Sequence, residues 1–148
     1  QMQVSQRRDL LQSMKRLRNI HKWFPNVCGI SQGEFMMLYQ IEELNKKNKD
    51  EEGIKSSKLS CICEMSKPAV SQMLNSLEKK KYIKREITKE DRRIVYVCLT
   101  TKGKEKLEDA TKRFVSGFDK VIGELGIEDT EILIKLLNKL YYIIEDAQ

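Results

Sequence analysis

Basic residues are concentrated in one short stretch of the chain, and their chemistry is that of anion binding. Between residues 78 and 106 there are eleven lysines and arginines against five acidic residues. The chain of 148 residues has a net charge of +6, whereas residues 107–148 carry nine acidic side chains against five basic ones. A basic segment next to an acidic one predicts a polyanion-binding site on one part of the molecule. The alternative is an ordinary solvated, lysine-rich surface.

Side chains suited to nucleic acid also precede this basic stretch at helical spacing. Ser66 is of the type preferred at a helix N-cap, and Pro68 falls in the first turn, where its missing N–H costs nothing. The outward side of this helix offers hydroxyl, amide and basic groups, which suit phosphates and base edges. The candidate DNA-binding residues of this helix are Ser66, Lys67, Pro68, Ala69, Ser71, Gln72, Asn75 and Lys79. The amides of Gln72 and Asn75 are expected to pair with adenine through two hydrogen bonds.

The elements that must position these side chains are predicted to be two short helices followed by a β-hairpin. A short helix at about residues 56–63 and the helix that begins near Ser66 make a helix-turn-helix pattern. The apolar period then changes from 3.6 to 2, because residues 82–87 and 93–99 are rich in β-branched and aromatic types around a charged turn. This order predicts a winged helix, whose second helix can enter a major groove while its hairpin wing reaches a minor groove. The candidate DNA-binding residues of the wing turn are Lys89, Asp91, Arg92 and Arg93.

Two helices are predicted ahead of this segment. Apolar residues at steps of three and four over residues 5–24 indicate an amphipathic helix with a basic opposite face. Ser31 stands three residues before Glu34, which is the spacing of a capping box, so a second helix is expected to start there and continue to Leu44. The polar stretch 45–53 is predicted to be a loop.

Two long helices are predicted after the hairpin. The first spans about residues 101–126 and has Thr100 or Thr101 as its N-cap, and the second spans about residues 129–145. Together with the other elements they predict a fold that is mainly α, with a small β-hairpin wing. These two helices have more apolar side chains than the core of one small winged-helix domain needs, so the surplus could form an interface with a second chain. The alternative is that the same side chains pack within a single chain.

Several short motifs match a known family. They are Lys67-Pro68-Ala69-Val70-Ser71, Leu77-Glu78-Lys79-Lys80, Asp91-x-Arg93 and Leu99-Thr100-x-x-Gly103. On these motifs, residues 31–115 resemble the MarR family of bacterial transcription regulators. The resemblance implies a homodimeric, sequence-specific DNA-binding regulator, more often a repressor, that binds a palindromic operator. It also implies one domain over residues 1–148, with a winged-helix lobe at about 31–100 and dimerisation helices at about 1–24 and 101–148.

The resemblance further implies roles for the wing. Arg93 is expected to enter the minor groove, and Asp91 is expected to hold its guanidinium in place, which agrees with the negative potential of a narrow minor groove. The chain departs from the family pattern at Glu64 and Lys81, where glycine is common. Both positions are expected to need a left-handed backbone, which costs a non-glycine residue roughly 1 kcal/mol.

Many members of the family leave DNA when they bind a small, often aromatic or anionic compound, and others respond to thiol oxidation. The candidate pocket residues are His21, Trp23, Phe24, Met36 and Tyr39, for which core packing is the alternative role. Cys28, in a loop between proline and glycine, is the candidate redox-active thiol. The chain has a single histidine, which argues against a histidine-rich zinc site, and we predict no metal and no cofactor.

Other classes of function lack their residue patterns. The sequence has no glycine-rich phosphate loop, no paired carboxylates in an apolar setting and no histidine-based triad, so no enzyme is predicted. Since no apolar run approaches the ~20 residues of a membrane helix and the first residues lack a signal-peptide core, the expected location is the cytoplasm. The alternative function is a winged helix whose basic face binds an acidic protein partner.

Overall fold

The computed structural model describes residues 3–18, 29–48 and 53–148. Its elements are α1 (Val4–Arg18), α2 (Gln32–Lys47), β1 (Ile54–Lys55), α3 (Ser56–Ile62), α4 (Lys67–Lys79), β2 (Ile83–Ile87), β3 (Val95–Leu99), α5 (Thr101–Leu125) and α6 (Ile127–Asp146). The chain divides into two units, one formed by Asn26–Lys112 and the other by Gln1–Pro25 with Arg113–Gln148. The first unit is a winged helix, so the predicted fold class is confirmed.

The winged-helix unit is built around a three-stranded antiparallel sheet. Strand β3 lies between β1 and β2, and its pairing with β2 places Ile83 opposite Leu99 and Ile87 opposite Val95. The two-residue strand β1 was not predicted, because a strand of that length is too short to show a period of two. The core of this unit draws on all of its helices and strands. The largest fully buried side chains are Met37, Leu38, Ile41, Ile54, Leu59, Leu74, Leu77, Ile83 and Val97.

Helix α2 starts as predicted but ends later. The Ser31 hydroxyl accepts a hydrogen bond from the Glu34 N–H, and the Glu34 carboxylate accepts one from the Ser31 N–H, both at 3.2 Å, so the capping box is confirmed. The helix continues to Lys47, so the prediction of a loop is wrong for residues 45–47. Lysine is a good helix former and favours the negative end of the helix dipole, so polarity alone does not end a helix. The rest of that loop falls partly outside the described residues.

The two positions at which glycine was expected both have a left-handed backbone. Glu64 has φ of 50° between α3 and α4, and Lys81 has φ of 63° after α4. At the second position the Tyr82 N–H donates to the Leu77 carbonyl and the Lys81 N–H to the Glu78 carbonyl, each at 2.9 Å. This is the Schellman arrangement that ends a helix. The expected strain is therefore present, and the motif that requires it directs the chain from α4 into β2.

The Leu99-Thr100-x-x-Gly103 motif joins the wing to α5. The Thr100 hydroxyl accepts a hydrogen bond from the Gly103 N–H at 3.0 Å and donates one to the Lys81 carbonyl at 2.6 Å, so Thr100 is the cap of α5. A Cβ atom on Gly103 would overlap the carbonyl oxygen of Tyr82. That oxygen accepts from the Thr100 N–H at 3.0 Å. Glycine is needed at position 103 because α5 approaches the backbone of Tyr82 too closely to leave room for a side chain.

We expect Gly103→Ala to destabilise the fold by about 1–3 kcal/mol, because overpacking against a fixed carbonyl forces the backbone to shift. Gly117→Ala in the same helix is the matched control. Apart from the backbone of the helix itself and the two adjacent residues, no atom of the described structure lies within 4 Å of a Cβ placed there, so this change should stabilise the helix by up to about 1 kcal/mol. Urea denaturation of both variants measures the difference. Equal effects at the two glycines would contradict the close approach.

The other unit contains α1, residues 113–125 of α5, and α6. No residue of α1 or α6, both within the described ranges, is buried. Many large apolar side chains of this unit are instead exposed, among them Leu10, Leu11, Met14, Leu17, Phe118, Val121, Leu133, Leu136, Leu137, Leu140 and Ile144. None of the helices in the described ranges is long and apolar enough to cross a membrane.

Candidate nucleic-acid interface

Helix α4 presents a polar outer face on a buried apolar base. Ser66 is its N-cap, with its Oγ accepting from the Ala69 N–H at 3.3 Å, and Pro68 lies in the first turn. Val70, Leu74 and Leu77 are buried. The exposed candidate residues of this helix are Lys67, Pro68, Ser71, Gln72, Asn75 and Lys79, while Ala69 is half-buried. The positive end of the helix dipole also lies at its N-terminus, where it favours a phosphate.

A nearly buried carboxylate fixes the other end of α4. Glu34, at the start of α2, is 8% exposed and accepts hydrogen bonds from the Lys80 ammonium at 2.8 and 2.9 Å and from the Ser76 hydroxyl at 3.4 Å. Burial alone would raise the pKa of Glu34, but the bonds from Lys80 and from the Ser31 N–H outweigh it, so the pKa lies below the ordinary glutamate value. The ion pair therefore ties the C-terminal end of α4 to α2.

Glu34→Gln is expected to lower the free energy of unfolding by about 1–3 kcal/mol at pH 7, because it removes charged hydrogen bonds from a mostly buried site. The folded-state pKa is depressed, so this stabilisation is present above the unfolded-state pKa of about 4.3 and is lost as pH falls through the lower folded value. The deficit relative to the wild type should therefore shrink near pH 3.

The control is Glu43→Gln, which removes an exposed pair with Lys46 (3.7 Å) on the same helix and should change stability by less than about 1 kcal/mol. Urea denaturation at pH 7 and pH 3 measures all three proteins. A deficit in Glu34→Gln that stays constant between the two pH values would show that the ion pair is not its cause.

Among the described residues, the side-chain hydrogen bonds between the wing strand β2 and α4 all come from Arg85. Arg85 donates from Nε and Nη2 to the two carboxylate oxygens of Glu78, at 3.1 and 2.9 Å, and from Nη2 to Oδ1 of Asn75 at 2.5 Å. The hydrogen bond from Arg85 lowers the pKa of Glu78. The outer face of α4 and the wing are therefore adjacent, and Asn75 has one fixed hydrogen-bond partner.

The wing turn between β2 and β3 is ordered by its own hydrogen bonds. The Thr88 hydroxyl donates to the Asp91 carbonyl at 2.6 Å and accepts from the Asp91 N–H at 3.1 Å. The Ile94 N–H donates to the same carbonyl at 3.0 Å, and the Thr88 N–H to the Ile94 carbonyl at 3.2 Å. These bonds order residues 88–94 between the two strands, which sets the direction in which their charged side chains leave the hairpin.

Asp91 and Arg93 form a pair at the tip of the wing. Oδ1 of Asp91 accepts from the backbone N–H and from Nε of Arg93, at 2.9 and 3.1 Å, and Oδ2 accepts from Nη2 at 3.2 Å. The side chain of Arg93 is 90% exposed. The hydrogen bonds from Arg93 lower the pKa of Asp91. The contact expected between these two residues is present, while the role of Arg93 in a minor groove stays a prediction.

Three further candidate DNA-binding residues are exposed basic side chains. Lys79, Lys89 and Arg92 are exposed, and no salt bridge involves them in the part of the chain that the structure describes. Other basic residues of the same stretch have acidic partners, since Lys80 pairs with Glu34 and Arg85 with Glu78. Neither of these two pairs was predicted, because their members are 46 and 7 residues apart on different elements.

The candidate pocket residues do not share one cavity. Met36 lines a cavity of about 230 Å³ with Met65 and Cys63, whereas Tyr39 lines one of about 390 Å³ with Lys104 and Leu107. They belong to different faces of α2, since the first cavity is lined by residues 33, 36, 37 and 40 and the second by residues 39, 42, 43 and 46. His21, Trp23 and Phe24 lie outside the described residues.

Burial disfavours the reactive thiolate form at two of the described cysteines. Cys61, Cys63 and Cys98 are free, and burial raises the pKa of Cys63 and of Cys98. Cys28, the candidate redox residue, lies outside the described residues. Over the described ranges, no group of three or more His, Cys, Asp and Glu side chains is arranged to hold a metal ion.

A family model and curated relatives match the chain. The family described as transcriptional regulator SarA/Rot matches residues 19–110, more than half of the chain. The uncharacterized HTH-type transcriptional regulator YwaE of Bacillus subtilis is 29% identical over 87 residues, 59% of this chain and 51% of YwaE, so the chain spans about half the length of that relative. The HTH-type transcriptional repressor YetL of Bacillus subtilis is 23% identical over 127 residues, 86% of this chain and 73% of YetL.

Solved structures share the fold. AbsC, a MarR family transcriptional regulator from Streptomyces coelicolor, superposes with a TM-score of 0.72 at 20% identity, covering 99% of this chain and 98% of that one. The S. aureus MepR–DNA complex superposes with a TM-score of 0.65 at 20% identity, covering 96% and 98%. These likenesses confirm that the fold is that of the MarR-type winged helices.

Proposed function

The chain belongs to the SarA/Rot family of transcriptional regulators, and from that premise we propose that it binds a palindromic operator as a homodimer and represses transcription. The family and the relatives consist of transcriptional regulators, which confirms the prediction that the chain is not an enzyme. The alternative of a winged helix that binds an acidic protein partner is not favoured by any contact described above.

The observation that supports operator binding best is that the outer face of α4 and the wing lie next to each other in the winged-helix unit. The outer face of α4 carries Gln72 and Lys79, and the adjacent wing presents Arg93 with its guanidinium already oriented by Asp91. A helix of this width fits a major groove, and an arginine at a hairpin tip fits the neighbouring minor groove. The MepR structure, which has the same fold, is a complex with DNA.

The homodimer is supported by the apolar helices of the other unit. On α6, Leu133, Leu137, Leu140 and Ile144 recur at three- and four-residue spacing, yet they are 42%, 56%, 38% and 49% exposed in the single chain. Monomeric proteins rarely leave such a stripe in contact with water. A second copy of the chain can bury this stripe against its own in a two-fold symmetric interface. The same two-fold symmetry matches that of a palindromic DNA site.

The proposed regulation is repression that a small molecule or an oxidative signal relieves. Repression follows the relative YetL, which is named as a repressor. For release from DNA, the 390 Å³ cavity offers the aromatic ring of Tyr39 and the ammonium group of Lys104, whereas Lys46 and Lys112 in its lining pair with Glu43 and Glu108. This lining suits a small aromatic compound better than an anionic one. An oxidative signal would depend on Cys28.

The test is selection of bound duplexes from fragmented genomic DNA, followed by fluorescence anisotropy on the enriched sequences at several salt concentrations. The proposal expects a palindromic site and an affinity that falls linearly with salt on a logarithmic scale. Enrichment of no sequence, or binding only to an acidic protein, would refute it. Transcription from a reporter that carries the site, in cells with and without the protein, decides between repression and activation.

Gln72→Ala and Lys79→Ala separate base contacts from phosphate contacts. Removing the Gln72 amide should reduce discrimination at one base pair by roughly 1–3 kcal/mol. Removing the Lys79 charge should weaken binding to all DNA sequences alike. It should also reduce by about one the slope with which the logarithm of the affinity falls against the logarithm of the salt concentration. Anisotropy titrations against the operator and against single-base variants measure both. Equal losses of specificity in the two proteins would mean that α4 does not enter the groove as proposed.

A further inference from the structure

Sulfur-containing side chains are concentrated around one cavity of the winged-helix unit. The cavity has a volume of about 230 Å³ and is lined by α2 and by the turn from α3 to α4, with Met36, Met37, Cys63 and Met65 among the lining residues. Met73 reaches the same place, since its methyl group lies 3.0 Å from the position that a Cβ atom would take on a glycine of the lining. Four of the six methionines of the chain are therefore gathered here.

Two of these sulfur atoms are already in contact. The Cys63 thiol donates a hydrogen bond to Sδ of Met37, and the two sulfur atoms are 4.0 Å apart. A metal ion bound to both sulfurs at about 2.3 Å, the length of a metal–thiolate bond, would have a sulfur–metal–sulfur angle of about 120° at this separation. That is the angle of a trigonal site, so the two sulfurs are placed to bind one ion without moving apart or together.

The sulfur cluster has a buried base and an open side. Met37 is 1% exposed, whereas Met36 is 41% exposed and Cys63 and Met65 are half-buried. An ion can therefore reach the sulfurs from solvent, as a metal site requires. Methionine has three rotatable bonds, so Met36 or Met65 can turn its sulfur towards the ion and complete a trigonal site.

The composition of the lining favours a soft cation. Among the described residues that line this cavity, Glu64 is the one charged side chain, so the cavity attracts cations rather than anions. Thiolate and thioether sulfurs together select Cu(I). Zinc is bound by Cys, His, Asp and Glu, and the lining offers only one thiol and one carboxylate of that set. Packing accounts for the buried Met37, but it does not require sulfur in the exposed Met36.

We propose that this cavity binds one Cu(I) ion, with Cys63 and Met37 as two ligands and Met36 or Met65 as the third. On binding, the Cys63 thiol gives its proton to water and the thiolate bonds to the ion, while the methionines bind through their thioether lone pairs and no electron is transferred. The expectation of no metal rested on the single histidine, and thioether ligands from separate elements form no motif in a sequence. Cu(I) binding does not require operator binding, so either proposal can fail without the other.

The experiment is an anaerobic titration of the full chain, with its thiols reduced, in which the protein competes for Cu(I) with a coloured Cu(I) chelator. Cys63→Ser removes the thiolate, and Met36→Leu, Met37→Leu and Met65→Leu each remove a thioether at nearly constant volume. Cys61→Ser is the matched control, because it removes an exposed thiol two residues away from Cys63. A parallel titration with Zn(II) tests the selectivity for a soft ion.

The wild type should bind one equivalent of Cu(I). Cys63→Ser should lower the Cu(I) affinity by roughly 100-fold or more and Met37→Leu by roughly 10-fold or more, because even the loss of an outer-shell partner costs about 10- to 100-fold. Either Met36→Leu or Met65→Leu should match Met37→Leu, and Cys61→Ser should leave the affinity unchanged. X-ray absorption at the copper edge should show three sulfur ligands at about 2.3 Å.

Thermal denaturation checks that each variant is folded. If Cys63→Ser is unfolded, Met37→Leu and the X-ray absorption of the wild type decide the matter. Any of four results would overturn the site: no Cu(I) bound, an affinity that Met37→Leu leaves unchanged, a loss in Cys61→Ser equal to that in Cys63→Ser, or fewer than three sulfur ligands at the copper. A Zn(II) affinity equal to that for Cu(I) would also overturn it, because thioether ligands do not favour zinc.

Discussion

Replacing both Leu137 and Leu140 by aspartate should give a monomer at micromolar concentration and lower operator affinity by roughly 1000-fold, within the range by which two linked binding sites exceed one. Both leucines lie on the exposed apolar stripe of α6, at 56% and 38% exposure. Two carboxylates in the middle of a two-fold interface face two more from the second copy, and each would lose its hydration without a partner. The winged-helix lobe does not contain these residues, so its fold should be retained.

Lys139→Asp is the matched control for the dimer prediction. It changes the net charge by the same two units on the same helix, but at an exposed position that is not part of the stripe. Sedimentation velocity and anisotropy titrations on the three proteins provide the comparison. A Leu137→Asp/Leu140→Asp protein that still sediments as a dimer would locate the interface elsewhere. A monomer that binds the operator as tightly as the wild type would show that dimerisation is not needed for recognition.

Most of the fold was predictable because its determinants are local. The capping pair Ser31 and Glu34, the N-cap Ser66 and the change of period at the hairpin are each contained within a few residues, and each is present in the structure. The end of α2 and strand β1 were not predicted correctly. The end of α2 follows from the helix propensity of Lys46 and Lys47, which a polar composition conceals. Strand β1 is decided by tertiary packing, because it exists only through the pairing of residues 54 and 55 with the remote residues 97 and 96 of β3.

The candidate site was predictable in its residue types but not in its pairings. The exposed Gln72, Lys79 and Arg92 were identified from helical spacing and from the wing motif. The bonds from Arg85 to Asn75 and from Lys80 to Glu34 were not, because they join elements that are distant in sequence. A list of basic residues therefore overestimates the number of cations that are available to phosphates, and it gives no indication of which amide is held in one orientation.

Arg93→Ala should lower operator affinity by roughly 10- to 100-fold, because it removes the arginine expected in the minor groove, where a single good contact contributes about 1–3 kcal/mol. The side chain is 90% exposed, so the thermal stability of the protein should change little. Arg92→Ala is the matched control. It removes the same charge from the adjacent residue of the same turn, and its effect should be a smaller loss for all sequences, with a salt slope reduced by about one.

Asp91→Ala should act in the same direction as Arg93→Ala but more weakly. It removes the carboxylate that accepts three hydrogen bonds from Arg93, so the guanidinium must be ordered when DNA binds. It also deletes a negative charge close to the phosphates, which favours binding and offsets part of the loss. Since the pKa of Asp91 is lowered, the carboxylate stays ionised throughout the pH range 5–8, and its contribution should not vary there.

The double variant Asp91→Ala/Arg93→Ala decides whether the aspartate acts through the arginine. If the only role of Asp91 is to orient Arg93, the double variant should bind no more weakly than Arg93→Ala alone, because there is no longer a guanidinium to orient. Anisotropy titrations of the four proteins against one operator at a fixed salt concentration complete the cycle. Strictly additive losses would mean that the two residues act independently, and that the pair at the tip of the wing does not prepare Arg93 for the minor groove.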